Sequence, residues 1–210
     1  MKDLIIVGAG SAGREILQIA KDINIVHPRW NIKGFIADSG LDIRSLTNGE
    51  FDIIGTIDEW NPKPHEEFVC AIADPLSREI VVKKLIARGA FFANLIHPNA
   101  RINEYCKLGN GIVLYNDSFI GPNATIGDFV FINSKIAHDC EIGNFSTISS
   151  QSSILGNVSI GSSVFIGGNA TIIPNITVND NAYVGAGSVV IKNVKSGVKV
   201  FGNPARKMNI

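Results

Sequence analysis

The first part of the chain, up to about residue 90, alternates short apolar runs with segments whose apolar positions recur at helical spacing. A run of consecutive apolar residues favours a buried strand, and apolar residues three or four positions apart favour an amphipathic helix. The pattern predicts strands at residues 4–7, 33–38 and 68–73, and helices at residues 14–21 and 76–88. Gly89 directly follows the second helical segment, where glycine commonly ends a helix. This alternation indicates a small parallel α/β sheet.

From about residue 100 the apolar pattern changes to a period of six residues. The aliphatic positions are Ile102, Leu108, Leu114, Ile120, Ile126 and Ile132, followed by Ile136, Ile142, Ile148, Ile154, Ile160, Ile166, Ile172, Val178, Val184 and Val190. A six-residue period fits neither an α-helix nor a straight strand. It fits a solenoid with three flat faces, in which the aliphatic side chains stack inward on their copies in neighbouring coils. An antiparallel β-sandwich would instead show alternation with a period of two.

The two patterns predict two domains. Residues 1–92 are expected to form a small Rossmann-like α/β domain, and residues 93–210 a left-handed parallel β-helix of about five coils with a short C-terminal tail. One step in the repeat is irregular, because Ile136 follows Ile132 after four residues instead of six. His138 stands just after this break. An irregularity in a regular scaffold is a place where a functional site is expected.

Composition narrows the class of protein. Lys plus Arg and Asp plus Glu both number 19, so the chain has no net charge to attract nucleic acid. A hydrophobic content of 45% with only 18% charged residues favours an oligomer. Cys70, Cys106 and Cys140 lack metal-ligand spacing, and an odd number argues against a secreted disulfide framework. We interpret them as small core residues. The apolar run near the N-terminus is too short to span a membrane, so a cytoplasmic protein is expected.

The segment from Gly8 to Gly13 has the spacing G-x-G-x-x-G between a predicted strand and a predicted helix. Backbone N–H groups in such a turn and at the helix N-terminus can hold a diphosphate. A nucleotide or nucleotide-sugar site is therefore predicted here, with an unactivated sugar as the alternative. A nicotinamide dehydrogenase is disfavoured because solenoid repeats fill the rest of the chain. The residues assigned to substrate binding are Gly8, Gly10, Ser11, Ala12 and Gly13 in the turn, Asp38 after the second strand, and Asp74 and Arg78 after the third.

Five segments together resemble the hexapeptide-repeat acyltransferases of the sialic acid O-acetyltransferase and bacillosamine N-acetyltransferase type. They are Ile6-Val-Gly-Ala-Gly-Ser-Ala-Gly-Arg14, Cys70-Ala-Ile-Ala-Asp-Pro75, Leu95-Ile-His-Pro98, Ala137-His-Asp-Cys-Glu-Ile-Gly143 and Val200-Phe-Gly-Asn-Pro-Ala-Arg206. The resemblance extends over essentially the whole chain. It implies a homotrimer that binds acetyl-CoA between adjacent β-helices, requires no metal, and acetylates a sugar in surface-glycan biosynthesis. It also implies that Gly156, Gly168 and Ala186 lie along the acetyl-CoA groove.

The resemblance assigns the catalytic base to His138. An imidazole with a pKa near 6.5 can take a proton from an amine or hydroxyl as that group attacks a thioester. Asp139 is expected to orient the ring, although neighbouring side chains in an extended segment tend to point apart. Asn133 is a further candidate for the same cleft.

Three departures from the family pattern leave the substrate open. Relatives that act on amino sugars often have His at the position of Ala12, Glu at the position of Ala137, and a second His at the position of Thr147. The sequence predicts either N-acylation or O-acylation, including O-acetylation of free sialic acid or another unactivated sugar. A nucleotidyltransferase with a β-helix tail is disfavoured because the chain lacks the long N-terminal domain that such enzymes need. A non-catalytic solenoid scaffold is the remaining alternative.

Overall fold

The computed structural model describes residues 1–38 and 40–208. It divides into two compact units, Met1–Pro98 and Asn99–Ile210, whereas the sequence pattern places the domain boundary after residue 92. The predicted fold class is confirmed, because an α/β unit with a parallel sheet is followed by a β-solenoid. None of the helices in the described part of the chain combines the length and hydropathy needed to cross a bilayer.

The described residues of the first unit form a parallel four-stranded sheet and three helices. Its elements are β1 (Lys2–Val7), α1 (Ser11–Val26), β2 (Trp30–Ile36), α2 (Ile43–Leu46), β3 (Ile53–Gly55), β4 (Glu66–Cys70), α3 (Pro75–Ile86) and β5 (Leu95–Ile96). The strand order in the sheet is β3-β2-β1-β4. β1 lies between two partners and buries the apolar run that predicted it. Ile16, Ile19 and Ala20 of α1 are buried, as their shared helical face predicted.

Several boundaries in this unit differ from the prediction. The sequence pattern missed β3 and α2, which are only 3 and 4 residues long, and it placed β4 at residues 68–73. The amphipathic character predicted for α3 is wrong. Arg78 is fully buried on this helix, while Leu76 and Ile80 are 54% and 69% exposed. Pairing of the guanidinium with main-chain carbonyls allows Arg78 to be buried, on the same face of the helix as the buried Val82 and Leu85.

The second unit is a solenoid whose two-residue strands stack into three parallel faces. The first face contains β6 (Arg101–Ile102), β9 (Phe119–Ile120), β12 (Lys135–Ile136), β15 (Ser153–Ile154), β18 (Thr171–Ile172) and β21 (Val189–Val190). The second contains β7 (Lys107–Leu108), β10 (Thr125–Ile126), β13 (Glu141–Ile142), β16 (Ser159–Ile160) and β19 (Thr177–Val178). The third contains β8 (Val113–Leu114), β11 (Phe131–Ile132), β14 (Thr147–Ile148), β17 (Phe165–Ile166), β20 (Tyr183–Val184), β22 (Lys199–Phe201) and the antiparallel β23 (Arg206–Lys207).

The six-residue repeat places its aliphatic residues in the solenoid core. Every aliphatic position of the repeat is buried except Ile102 and Leu108 in the first coil. Two corners matter for the site. The first corner is the column of turns that follow first-face strands, at residues 103–106, 121–124, 137–140, 155–158 and 173–176. The third corner is the column that follows third-face strands, at residues 115–118, 133–134, 149–152, 167–170 and 185–188.

The irregular step of the repeat shortens one turn of the third corner. Only Asn133 and Ser134 separate β11 from β12, whereas the turns above and below contain four residues. The ladders remain in register, because Lys135 pairs with Phe119 on one side and Ser153 on the other. The solenoid thus absorbs the missing two residues in the turn and leaves the strands unchanged.

Candidate active site

His138 lies in the first-corner turn between β12 and β13, and its side chain is 56% exposed. Its Nδ1 is 2.7 Å from Oδ2 of Asp139. The expectation that these neighbouring side chains point apart is corrected by the backbone, because Asp139 has a φ of +57°. A residue in this left-handed conformation turns the chain sharply, which brings its carboxylate beside the preceding ring.

A second hydrogen bond fixes the carboxylate. Nδ2 of Asn123 donates to Oδ1 of Asp139 at 3.0 Å. The hydrogen bond from His138, followed by that from Asn123, holds the pKa of Asp139 below its ordinary value of 3.8. Asp139 is therefore ionised near neutral pH, and its Oδ2 accepts a hydrogen bond from the protonated Nδ1. This tautomer leaves Nε2 as the proton acceptor.

The sequence pattern did not single out Asn123. It occupies the equivalent position of the preceding first-corner turn, where its φ is +62°. An asparagine is expected at such a corner merely because it tolerates a positive φ, so the sequence offered no reason to assign a function to its side chain. The pairing spans 16 residues instead of the 18 of a regular coil, because the shortened turn lies between them. If the sequences of the two coils are aligned with a two-residue gap at the shortened turn, Asn123 falls beside Asp139.

Gly156 lies on the next first-corner turn, against the His138 ring. A Cβ added at Gly156 would be 2.6 Å from both Cε1 and Nε2 of His138. Real Cβ atoms essentially never make contacts under 3.0 Å. The glycine therefore gives the imidazole its space, a role that the sequence pattern did not predict. Its assignment to the acetyl-CoA groove stays a prediction.

Three other predicted site residues lie on the third corner. Asn133 is in the shortened turn, Gly168 in the turn at 167–170 and Ala186 in the turn at 185–188. A Cβ at Gly168 would be 3.2 Å from the Ser150 carbonyl oxygen, so the main chain there is closely packed. A single solenoid therefore places these three residues and His138 on different corners.

Cys140, two residues after His138, is buried. Its Sγ donates to the Leu155 carbonyl oxygen at 3.1 Å, and burial raises the pKa of the thiol. Burial raises the pKa of Cys70 as well, to about 11. Thiols in this state are poor nucleophiles near neutral pH. Neither Cys70 nor Cys140 is therefore suited to carry an acyl group as a nucleophile.

The glycine-rich turn of the first unit is tight. Gly8 has a φ of +104°, and a Cβ at Gly13 would be 2.4 Å from the Gly8 carbonyl oxygen, which requires glycine at both positions. Gly10 is the N-cap residue of α1 and provides no side chain to cap it. Ser11 and Ala12 form the first turn of that helix. Without a side-chain cap, N–H groups at the helix start can bind an anion.

The acidic and basic candidates near this turn have contacts within the chain. Asp38 is exposed, and its Oδ1 accepts from the backbone N–H of Ile57 at 2.9 Å. Asp74 is the N-cap of α3, and hydrogen bonds from Ser77 lower its pKa. The buried guanidinium of Arg78 donates to the carbonyl oxygens of Ile72 and Ala73 at 2.8 and 3.0 Å. Asp74 and Arg78 thus have structural roles, and their contact with substrate stays a prediction.

Comparisons with known proteins agree with this architecture. Residues 3–85 match the PglD N-terminal domain, and residues 157–192 match the bacterial transferase hexapeptide of six repeats. A search of curated proteins by sequence found no significant match.

Solved structures resemble the chain over its whole length. The acetyltransferase domain of PglB from Neisseria gonorrhoeae FA1090 has a TM-score of 0.89 at 25% identity, with 99% of this chain and 100% of that chain covered. WeeI from Acinetobacter baumannii AYE has a TM-score of 0.87 at 29% identity, with the same shares covered. PerB from Caulobacter crescentus, solved with CoA and GDP-perosamine, shares the fold with a TM-score of 0.87 at 24% identity, covering 100% and 98%.

By these matches the chain is similar to hexapeptide-repeat transferases. Its first unit is also similar to the N-terminal domain of PglD. The resemblance to sugar acyltransferases expected from the sequence is confirmed.

Proposed function

We propose that this protein is an acetyl-CoA-dependent acetyltransferase that acylates an amine or hydroxyl of a nucleotide-linked sugar in glycan biosynthesis. The observation that carries the proposal is the His138–Asp139–Asn123 chain, which leaves Nε2 of an exposed imidazole free to accept a proton. The similar PglB domain has also been solved in complex with acetyl coenzyme A, and PerB with CoA and GDP-perosamine.

The proposed reaction is a direct transfer. The sugar amine or hydroxyl attacks the thioester carbonyl carbon while Nε2 of His138 takes its proton. A backbone N–H donor stabilises the oxyanion of the tetrahedral intermediate. Collapse of that intermediate breaks the carbon–sulfur bond, and the imidazolium returns the proton to the CoA thiolate. Asp139 holds the ring and stabilises the imidazolium while it carries the proton.

A homotrimer is part of the proposal. His138 and Gly156 lie on the first corner, whereas Asn133, Gly168 and Ala186 lie on the third corner of the same solenoid. These residues can border one acetyl-CoA molecule only if neighbouring copies supply the two corners. Sedimentation velocity at micromolar concentration is expected to show a trimer. A stable monomer would remove the shared groove and leave the fold assignment unaffected.

The first unit is proposed to hold the nucleotide part of the acceptor. The tight turn from Gly8 to Gly13 and the uncapped start of α1 offer N–H donors for a diphosphate, and Asp38 stands beyond the adjacent strand β2. An enzyme that uses acetyl-CoA and nucleotide sugars is expected to work in the cytoplasm.

A thiol-release assay tests the proposed function. The purified protein is incubated with acetyl-CoA and, in separate reactions, nucleotide amino sugars, nucleotide sugars that carry only hydroxyls, and free sialic acid. We expect CoA release that depends on a nucleotide sugar, with an acetylated product of the matching mass. Release with sialic acid alone would point to an unactivated acceptor, and no release in any reaction would favour a scaffold.

A further inference from the structure

The loop that follows β4 lies against the glycine-rich turn of the first unit. β1 and β4 are neighbouring parallel strands with Val7 opposite Cys70, so the chain leaves both strands at the same edge of the sheet. A Cβ added at Gly8 would be 3.3 Å from Cγ1 of Ile72 and 3.4 Å from the Ala71 carbonyl oxygen, so the two loops are in close contact. N–H donors from both loops are therefore placed to bind one anion at this edge.

Arg78 fixes the orientation of two peptide units in this β4–α3 loop, residues 71–74. The residue is fully buried, and its Nη1 donates to the carbonyl oxygens of Ile72 at 2.8 Å and Ala73 at 3.0 Å. In a trans peptide unit the N–H points opposite to the C=O. The N–H groups of Ala73 and Asp74 are therefore directed away from the buried guanidinium. Both residues are exposed, so these donors lie on the open side of the loop.

The N–H group of Asp74 is left for a ligand. The Asp74 carboxylate accepts from the Ser77 N–H at 2.8 Å, and its carbonyl oxygen accepts from the Arg78 N–H at 2.9 Å. Its own N–H has no acceptor among residues 1–38 and 40–208. The N–H groups at the start of α1 likewise have no side-chain cap. Donors from two neighbouring loops suit a diphosphate, whose anionic oxygens need several partners.

The burial of a charged group at this point is explained by what it holds. Val82 and Leu85 share the buried face of α3 with Arg78, and an apolar residue there would often stabilise the fold as well as a buried charge does. The guanidinium instead attracts the negative ends of two peptide dipoles, which leaves their positive ends on the exposed side. A diphosphate would thus meet N–H groups that are oriented before it binds.

We propose that Arg78 is a positioning residue for the nucleotide site. It holds the carbonyl oxygens of Ile72 and Ala73, so that the N–H groups of Ala73 and Asp74 bind the diphosphate of the acceptor together with the turn from Gly8 to Gly13. Arg78 is fully buried and acts through the loop. The inference rests on the proposed function for the nature of the ligand, a nucleotide-linked sugar.

Nucleotide binding is measured by calorimetry on the full-length protein without acetyl-CoA, with UDP, GDP, CDP and dTDP as probes. Arg78→Met removes the guanidinium and keeps a long side chain that can be buried. The two carbonyl oxygens are then free to turn toward water, so the Kd of the nucleotide that the wild type binds should rise about 10- to 100-fold. Arg78→Lys keeps the charge and a donor, and its Kd should be intermediate. Lys83→Met removes an exposed positive charge from the same helix and should leave the Kd unchanged.

A second pair of variants tests the loop without altering Arg78. Asp74 has a φ of −67°, which proline adopts, so Asp74→Pro removes the N–H donor at a compatible position. Asp74→Ala removes the same carboxylate and keeps the N–H, so the helix cap is lost in both variants. Asp74→Pro should bind the nucleotide about tenfold more weakly than Asp74→Ala. This comparison decides the question if Arg78→Met does not fold.

Thiol release adds a readout that a loss of stability would not produce. In Arg78→Met the KM for the nucleotide sugar should rise, while the KM for acetyl-CoA should not change. A folded Arg78→Met protein with the wild-type Kd would overturn the role of Arg78, and equal Kd values for Asp74→Pro and Asp74→Ala would overturn the role of the loop. A wild-type protein that binds none of the four nucleotides would overturn the nucleotide site and this inference together. Nucleotide binding that the variants weaken, in a protein that releases no thiol, would support this inference and contradict the proposed transferase activity alone.

Discussion

Gly156→Ala is predicted to damage catalysis without destabilising the fold. The new Cβ would lie 2.6 Å from Cε1 and Nε2 of His138, and ordinary van der Waals contact begins at 3.4 Å. The imidazole must therefore move by about 0.4 Å to reach the shortest contact that Cβ atoms make, 3.0 Å, and by about 0.8 Å to reach ordinary contact. Such a displacement strains the hydrogen bond from Nδ1 to Asp139, now 2.7 Å long, and moves Nε2 away from the position in which it accepts the substrate proton.

The expected loss can be estimated from this displacement. A misplacement of about 1 Å can cost about 10² in rate, which corresponds to about 2.7 kcal/mol in the activation free energy. Stability should not fall, because Gly156 is outside the left-handed region and the His138 side chain, being 56% exposed, can yield. Replacing glycine by alanine at such a position restricts the unfolded chain and can stabilise by about 0.4–1 kcal/mol. Activity and melting temperature are thus expected to change in opposite directions.

Steady-state kinetics and thermal unfolding of the variant check this prediction. Gly40→Ala is the matched control, because a Cβ there meets no atom within 4 Å. The double variant Gly156→Ala/His138→Ala shows whether Gly156 acts through the imidazole. If it does, the losses in kcat caused by the two single substitutions should not add. Additive effects with a raised KM for acetyl-CoA would instead support the groove contact implied by the family resemblance. A folded Gly156→Ala enzyme with unchanged kcat would refute the role assigned to the ring position.

Two further variants test the nucleotide site proposed for the first unit and the base proposed for the second. Asp38→Asn keeps an oxygen that accepts from the Ile57 N–H but removes the negative charge. The KM for the nucleotide sugar should therefore rise, while the KM for acetyl-CoA should stay nearly unchanged. Equal effects on both KM values would mean that the first unit does not bind the nucleotide. Asp139→Asn should lower kcat by about 10²-fold, because the anion that stabilises the imidazolium is lost. Because the pKa of Asp139 is lowered on folding, the ionised carboxylate stabilises the folded protein at pH values above its unfolded-state pKa. This stabilisation is lost only as the pH falls through the folded-state pKa, below 3.8. Protonation of Asp139 should therefore produce no inflection in the profile of kcat/KM between pH 5 and 8, and an inflection that Asp139→Asn removes in this range would argue against the lowered pKa.

The solenoid was predictable because its aliphatic residues recur every six positions in the sequence. Inward-facing residues such as Ile136 and Ile142 must stack on copies of themselves, so one register accounts for every coil. The same periodicity exposed the shortened turn and directed attention to His138. The short elements of the first unit have no such repeating pattern. β3, for example, has only two apolar residues before Gly55, which is too few to predict a strand.

Contacts between coils were the part that the sequence pattern did not reveal. Asn123 meets Asp139 because the shortened turn between them offsets the two coils by two residues, and Gly156 meets the His138 ring because it lies one regular coil of 18 residues further along the chain. The left-handed backbone of Asp139 likewise reverses the usual divergence of neighbouring side chains. Burial of Arg78 was unexpected for a related reason, because its partners are main-chain carbonyls that have no residue signature.

The most direct test of the proposed mechanism is the kcat of His138→Ala measured by thiol release with the best nucleotide-sugar acceptor. The exposed imidazole contributes no core packing, so the variant should keep its oligomeric state and melting temperature. Loss of a general base predicts a kcat lower by about 10²–10⁴-fold. A folded His138→Ala protein with wild-type kcat would contradict the assignment of His138 as the base.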